Sequence, residues 1–409
     1  ETTFSVVECD RDFLKSVRYV VTLDSDTRLP FASVRELVAT MEYPHNRPKI
    51  DPEKGIVTEG YGILQPRMMP ELTSSRKTRF SMMLTGGGGI DAYSLAAFDL
   101  YFHLFGEGIF CGKGIFDVDA FEQCVTDAFP ENRVLSHDLL EGTRLRCAII
   151  PDMVFTDGVP STPMSYFKRQ HRWIRGDVQA LPFGHRWIES TEKQKQKNPI
   201  SFLSRYKIKD NIRRSLVPVC STVLLILGMF WPNRAAALAA IGALLYLVYP
   251  ALQAFFSCLT HSKISLFRRF FSDVKPVISD IAINLIYSLS SLVYISKLTV
   301  DAMVRSFWRM HVSHRNMLEW VTAYEADSHK KSARLQYIRS MWISIVFGAA
   351  ALIFGASFVK WIGILWIAFP LWCQFLSKGH LEKQGILPNQ KEQIKAYAKP
   401  MWQYFKNLA

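Results

Sequence analysis

The sequence predicts an α/β catalytic domain followed by an α-helical membrane region, and three observations carry that reading. Residues 1–190 alternate strand-like and helix-like stretches, the pattern of an α/β sheet. A polar, Lys-rich linker, "STEKQKQKNP", then marks a change of composition. Beyond it come four runs without a formal charge, each about as long as the ~17–25 residues a bilayer crossing needs.

In the first part, Val17–Leu23 is a compact β-branched run that ends in an acidic turn. Ser33–Met41 has helical spacing, Ile56–Pro66 and Cys147–Phe155 read as strands, and Asp91–Phe105 reads as a helix. The tetraglycine Gly86–Gly89 is no phosphate loop. The only "GK", at Gly112–Lys113, has Glu107 where the first glycine of that motif should stand.

The four uncharged runs are Ser215–Asn233, Ala235–Ser262, Ser340–Val359 and Trp361–Ser377, each bounded by Arg or Lys. A fifth, Ile281–Ser296, is shorter. It carries a polar stripe at Asp280, Asn284, Ser288 and Ser291. Were it to span, the basic stretch Arg305–Arg339 would fall opposite the other basic loops, against the positive-inside rule. The expected organisation is therefore a catalytic domain over 1–190 ending in an amphipathic interface helix, and a basic linker over 191–214. Two spans follow over 215–262, a cytoplasmic or interfacial segment over 263–339 with 277–300 lying in the interface, two more spans over 340–378, and a cytoplasmic tail over 379–409.

The 409 residues carry 49 Lys and Arg against 36 Asp and Glu, a net charge of +13, which calls for an anionic partner. Seven cysteines form no CxxC pair and no zinc spacing, so a disulfide framework is not expected.

Three constellations carry chemistry. Asp24 and Asp26 in "LDSDT" end a strand, where open α/β sheets bind ligands. Hard carboxylate oxygens suit Mg²⁺ or Mn²⁺ bound together with a diphosphate, although two such acids also serve as turn caps. An EF-hand is excluded, because Arg28 and Leu29 stand where that loop needs a ligand and a glycine. Asp117 and Asp119 repeat the DxD spacing and read as a turn or cap. In "LSHDLLEG", Asp138 beside His137 suits a general base whose pKa burial would raise; Ser136 or Asp138 with Glu141 equally suits a helix-capping box. In "FKRQHRWIRGDVQ", an amphipathic helix presents Lys168, Arg172 and Arg175 together. These suit a diphosphate clamp or rest on anionic lipid, and Trp173 suits stacking on a sugar ring.

The order of these motifs resembles the processive membrane-embedded glycosyltransferases of the cellulose-synthase type, whose pattern is DxD, a base Asp, then QxxRW. Arg169 stands where that family has Gln. Longer strings, "YVVTLDSDTRLP", "GYGILQPR", "LFGEGIFCGKGIFDVDAF", "LSHDLLEG", "RQHRWIRGD", "KDNIRRSL" and "HVSHRNMLEWVTA", are similar to the glycosyltransferase region of the cyclic β-1,2-glucan synthases, glycosyltransferase family 84.

That resemblance implies a GT-A-type domain, lacking here the upstream strand that binds uracil, and inverting, processive transfer from UDP-glucose to a growing β-1,2-glucan. It implies a divalent ion on Asp24 and Asp26, with Arg169 and Arg172 on the donor diphosphate. Asp138 would be the base, and Trp173, Phe110, Gly112 and Lys113 would approach the acceptor. Trp308–Trp320 would act as a gating segment, and Tyr93 or Tyr101 would prime the chain. The partners would be the lipid bilayer, with the catalytic domain on the cytoplasmic side of the inner membrane, and a downstream glycoside-phosphorylase-like module. No nucleic acid is implied. The competing readings are a processive β-glycan synthase of another sugar or linkage, and a transporter with a regulatory soluble domain.

Overall fold

The computed structural model describes residues 11–85, 100–130, 132–189, 195–230, 241–242, 267–319, 334–355, 357–379 and 388–408. Tyr93, the tetraglycine, Trp320 and nearly all of the run Ala235–Ser262 lie outside these residues.

The first part begins α1 (Arg11–Lys15), β1 (Tyr19–Thr22), α2 (Ser33–Glu42), β2 (Lys49–Asp51), β3 (Ile56–Glu59), β4 (Ile63–Pro70), α3 (Leu72–Ser75), α4 (Arg79–Thr85) and α5 (Leu100–Phe105). It continues β5 (Gly114–Asp117), α6 (Val118–Cys124), α7 (Asp138–Leu145), β6 (Cys147–Asp157), α8 (Pro163–Ala180), β7 (Trp187–Glu189) and β8 (Lys195–Lys197). The expected strand over 56–66 is two strands, because the chain turns at Gly60–Gly62. Gly60 there adopts φ +65° with no room for a Cβ against Arg47.

The central sheet has the order β1-β5-β4-β6. β5 is antiparallel to both neighbours and β4 is parallel to β6, so β1, β4 and β6 run one way and β5 the other. The start of β5 therefore shares a sheet edge with the ends of β1 and β6. Leu37 and Met41 of α2 pack on one face with Leu64, Ile115, Ala148 and Phe155. Phe110, Ala120, Cys124 and Leu145 fill a second cluster with Ile63 and Cys147.

The capping assignments divide. Asp117 caps α6 as expected, its carboxylate accepting from the Ala120 amide at 2.9 Å. The capping box expected from Ser136 or Asp138 with Glu141 does not form: His137 stands at the N-cap of α7, Asp138 is its first residue, and Glu141 turns to the His137 ring instead. α8 does carry a capping box, from Thr162 and Ser165, with Pro163 in its first turn. Part of the Lys-rich linker is not a linker, since Lys195–Lys197 pairs with Trp187–Glu189 as a hairpin.

The membrane region comprises α9 (Phe202–Phe230), α10 (Phe267–Trp308), α11 (Arg334–Ser340), α12 (Trp342–Phe354) and α13 (Ser357–Leu376). Among the described residues, three helical stretches are long and apolar enough to cross a bilayer: Phe202–Gly228, Ala282–Ser313 and Val359–Leu376. A fourth is possible if α11 and α12, bent by 67°, make one span. The interval 277–300, expected as a helix in the interface, is the middle of a 42-residue helix. Some of its serines face inward. Ser296 donates to the Pro218 carbonyl at 2.8 Å and meets Thr222 at 2.7 Å, while Ser290 and Ser291 are fully buried. α12 and α13 meet through glycines; a Cβ on Gly348 would lie 2.6 Å from the Gly363 carbonyl oxygen.

The catalytic part and these helices share one core. Phe167 and Ile174 of α8 and Phe80 of α4 pack with Tyr287, Tyr294, Tyr337 and Phe369. A buried ion pair adds a second join. Lys207 of α9, 1% exposed, donates to the Glu107 carboxylate at 2.9 Å and to the Glu107 and Gly108 carbonyls at 3.0 and 2.9 Å. All three ammonium protons are thus used. Residues 379–409 form a separate unit containing α14 (Pro388–Leu408), exposed wherever its side chains are described.

Because breaking a buried pair strands a charge, Lys207→Met should cost about 3–5 kcal/mol of stability. It would be read as a lowered thermal midpoint of the full-length protein in detergent, and adding Glu107→Leu should recover most of the loss. A Lys207→Met protein as stable as its parent would show that the pair carries no weight.

Candidate active site

The site forms where β1, β5 and β6 meet at one sheet edge. Asp24 and Asp26 follow β1, Lys113 precedes β5, and Asp157 ends β6. The antiparallel course of β5 puts the Lys113 ammonium between two acids, 3.0 Å from Asp24 and 2.7 Å from Asp157. Burial opposes that charge, but the Cys111 thiol, Asp157 and Asp24 outweigh it and hold the ammonium above its ordinary pKa. The loop after Asp26 is tied to the end of β6: Arg28 and Thr156 exchange backbone bonds of 2.8 and 3.2 Å, and Thr27 donates to Asp157 at 2.5 Å.

The "FCGKG" segment crosses above α7. Gln65 of β4 accepts the Cys111 amide at 2.7 Å and fixes its height. Gly112, at φ +84°, lies so close to Asp138 that a Cβ would stand 3.0 Å from its carboxylate. Asp138 begins α7 at the floor of this cleft. Burial raises its pKa, His137 opposes the rise, and Glu141 and Asp24 add to it. A carboxyl in that setting suits proton transfer.

His137, Asp138 and Glu141 each offer a ligand atom within 4.8 Å of one another. Within this cluster the close contact is an ion pair between His137 and Glu141. The 2.6 Å bond to Glu141, against the drag of burial, lifts His137 to about 9, so the ring is an imidazolium without a free lone pair at neutral pH.

α8 supplies the cations. Arg169 reaches Asp26 at 3.4 Å and the Gly158 carbonyl at 3.5 Å, with its guanidinium 6.0 Å from the Trp173 ring centre. A Cβ on Gly158 would strike Asp26 at 2.9 Å, so only glycine lets the two loops close. Burial and Arg169 lower the Arg172 pKa, while Asp24, Asp138 and Asp26 raise it, which places Arg172 in the field of all three acids. Gly176 brings α8 against Ser136, where a Cβ would lie 2.7 Å from the serine Cβ. Trp173 keeps 37% of its surface exposed beside the cluster.

Expected residues that converge are therefore Asp24, Asp26, Gly112, Lys113, Asp138, Arg169, Arg172 and Trp173. Phe110 is a correction. Its ring is 4% exposed and sits in the core, with its Cβ against Gly142, so it anchors the segment and presents no face to an acceptor. Arg175 also leaves the expected clamp, because it is buried and donates to the Glu319 carbonyl. Tyr101 rests against α9, its ring 5.5 Å from the Lys207 ammonium, and burial followed by Asp210 and Tyr206 raises its pKa.

Asp157 is not among the residues expected from sequence, and Glu141 figures there only as a capping acid. Asp157 had a readable signal, an acid at the end of a strand, as Asp24 is. The segment after α10 is docked as well: Gln179 accepts from the Leu135 amide at 2.7 Å and donates to the Met317 carbonyl at 3.1 Å. Arg309 pairs with Glu319 at 2.6 Å. A cleft of about 390 Å³ between α8 and α10 is lined by Arg169, Arg172, Arg175, Arg305 and Asp301.

No protein-family model matches the chain. In an alignment of 408 positions that covers 96% of the chain, it is 33% identical to the cyclic beta-(1,2)-glucan synthase NdvB of Rhizobium meliloti (strain 1021). This segment is homologous to part of a cyclic β-1,2-glucan synthase. The chain spans 14% of that relative's length. The match bears out the resemblance read from the motifs.

The His137 imidazolium is stabilising below its ordinary value of 6.5, and the contribution is lost as pH rises through about 9. NMR titration of the ring should report about 9, and Glu141→Gln should bring it down towards 6.5. An unchanged titration in that variant would place the cause elsewhere.

Proposed function

We propose that this chain carries the glucosyl-transfer step of a β-1,2-glucan synthase: inverting, processive transfer from UDP-glucose to the 2-hydroxyl of a growing glucan. The observation that carries the reading is the convergence of Asp24 and Asp26, Asp138, and Arg169 and Arg172 at one sheet edge, in a chain homologous to such a synthase over 96% of its length. Asp138 takes the proton of the acceptor hydroxyl as that oxygen attacks the anomeric carbon. The bond from that carbon to the diphosphate breaks on the opposite face, and UDP departs. The logic is that of inverting glycoside chemistry, with one carboxylate as base.

Arg172 meets the charge that grows on the diphosphate, and Arg169 holds Asp26 in position. Trp173 offers an exposed ring to the acceptor sugar. Two carboxylates with a free oxygen each are a fitting donor set for Mg²⁺ or Mn²⁺. Lys113 and Arg169 take one oxygen of Asp24 and one of Asp26, which leaves the others for the ion. When bound, the ion would offset diphosphate charge. Lys113, tied to Asp24 and Asp157, sets the height of Gly112 over the base. The membrane helices would hold this site at the cytoplasmic face of the inner membrane. A downstream glycoside-phosphorylase-like module and a tyrosine primer, Tyr93 or Tyr101, belong to the same proposal.

Membranes bearing the full-length protein, given UDP-glucose with Mg²⁺ or Mn²⁺, should release UDP and form β-1,2-linked glucan; a different linkage would redirect the reading to another synthase. Asp138→Asn should lower transfer by about 10²–10⁴-fold while UDP-glucose still binds. Substantial turnover in that variant would remove Asp138 from the role of base.

The pH dependence follows from the same contacts. Asp138 must be ionised to act, and the His137 cation favours that form. His137→Gln should therefore raise the Asp138 pKa and move the acid limb of the rate profile to higher pH. A limb that stays in place or moves down would contradict the arrangement.

A further inference from the structure

A cavity of about 730 Å³ opens at the far end of α7 from Asp138, six residues or about 9 Å along the helix axis. It is lined by Lys54, Arg144, Arg186, Lys197 and Arg205, with Glu53 as the one acid among its lining residues. That volume falls in the range of small-molecule sites. Its charge is far from balanced.

Arg144 forms the base and is the unusual member. Its side chain is 7% exposed, and it enters no ion pair among the described residues. One guanidinium nitrogen donates to the carbonyls of Gly55 and Cys124 at 3.1 and 3.3 Å, while Nε is buried without a hydrogen-bond partner. Burial pulls its pKa down, yet a guanidinium stays charged in proteins. A buried cation without a counter-ion is costly. Here it faces a cavity whose other cations make the deficit worse. Lys54 alone has a carboxylate of its own, Asp51 at 2.5 Å. Arg186 and Lys197 stand exposed at the mouth and enter no ion pair among the described residues.

The place of the cavity matters too. Arg205 lies in the first turn of α9, and the uncharged run of that helix begins at Ser215. Trp187, next to Arg186, and Phe202 are 60% and 77% exposed, the kind of aromatic side chain that settles at a bilayer interface.

We propose that this cavity binds a phosphate oxyanion, with Arg144 at its base and Arg186 and Lys197 at its mouth. The phosphate belongs either to an anionic lipid headgroup or to a soluble compound. Guanidinium groups match it in geometry and charge. This site is independent of the transfer reaction and stands whatever the donor sugar proves to be.

The test uses the full-length protein, its Arg186→Ala/Lys197→Ala variant, and a charge-matched control, Lys395→Ala/Lys399→Ala, with both lysines exposed and remote in sequence from the lining residues. In one arm the protein is equilibrated with vesicles of equal parts phosphatidylcholine and phosphatidylglycerol, and retained phosphatidylglycerol is counted by native mass spectrometry. In the other, the thermal midpoint in neutral detergent is followed against inorganic phosphate and pyrophosphate. Affinity in the arm that holds the ligand should fall about tenfold or more in the Arg186/Lys197 variant and stay level in the control. Loss in the vesicle arm identifies a headgroup, and loss in the soluble arm a free phosphate compound. Equal behaviour of all three proteins in both arms, or an equal loss in the control, overturns the site. Since both substituted residues are exposed, the parent's far-ultraviolet spectrum and midpoint without ligand should be retained. Arg144→Lys, which keeps the charge and loses the fork, should fall between parent and double variant.

Discussion

Because β5 runs antiparallel between β1 and β4, its first residue lies at the sheet edge where β1 and β6 end, and Lys113 lands between Asp24 and Asp157. Three segments far apart in sequence are brought together by that one reversal. The same geometry lays Gly112 over Asp138, with no space for a side chain between backbone and carboxylate. Gln65, on the neighbouring strand, pins the segment through the Cys111 amide. Had β5 run parallel to its neighbours, Lys113 would stand at the opposite edge and the acids would face one another without a cation.

The membrane helices are bound to this edge and are not merely an anchor for it. α8 carries Arg169 and Arg172 towards the acids, while Phe167 and Ile174 enter the core shared with Tyr294 and Phe369. Glu107, five residues before Gly112, is held by Lys207 of α9 in a pair shielded from water. Gln179 joins the loop before Asp138 to the segment after α10. A shift of α9 or α10 would thus be felt by the backbone on either side of Asp138.

Much of the catalytic half was legible in the sequence. β1, α2, β6 and α8 have unambiguous periodicity and punctuation, and the cap at Asp117 follows from residue type. The motif residues converge because each ends or begins an element at the same sheet edge. What misled was local. Asp138 and Glu141 have the spacing of a capping box, but the neighbouring imidazole of His137 offers Glu141 a charged partner, which is stronger than a backbone amide. Phe110 sits inside a conspicuous motif, yet its ring is needed in the core.

The sequence by itself determined the division into an α/β part and apolar helices, the acids and guanidinium groups able to act on a diphosphate, and the excess of positive charge. Those follow from residue type, period and order along the chain. Only the tertiary structure decided that Lys113 neutralises Asp24, that Arg169 takes Asp26, that Lys207 is buried on Glu107, and that Arg144 is buried facing a cavity rich in cations. Each of those joins residues more than forty positions apart. Their partners are set by strand direction and helix packing, and neither leaves a local pattern in the sequence.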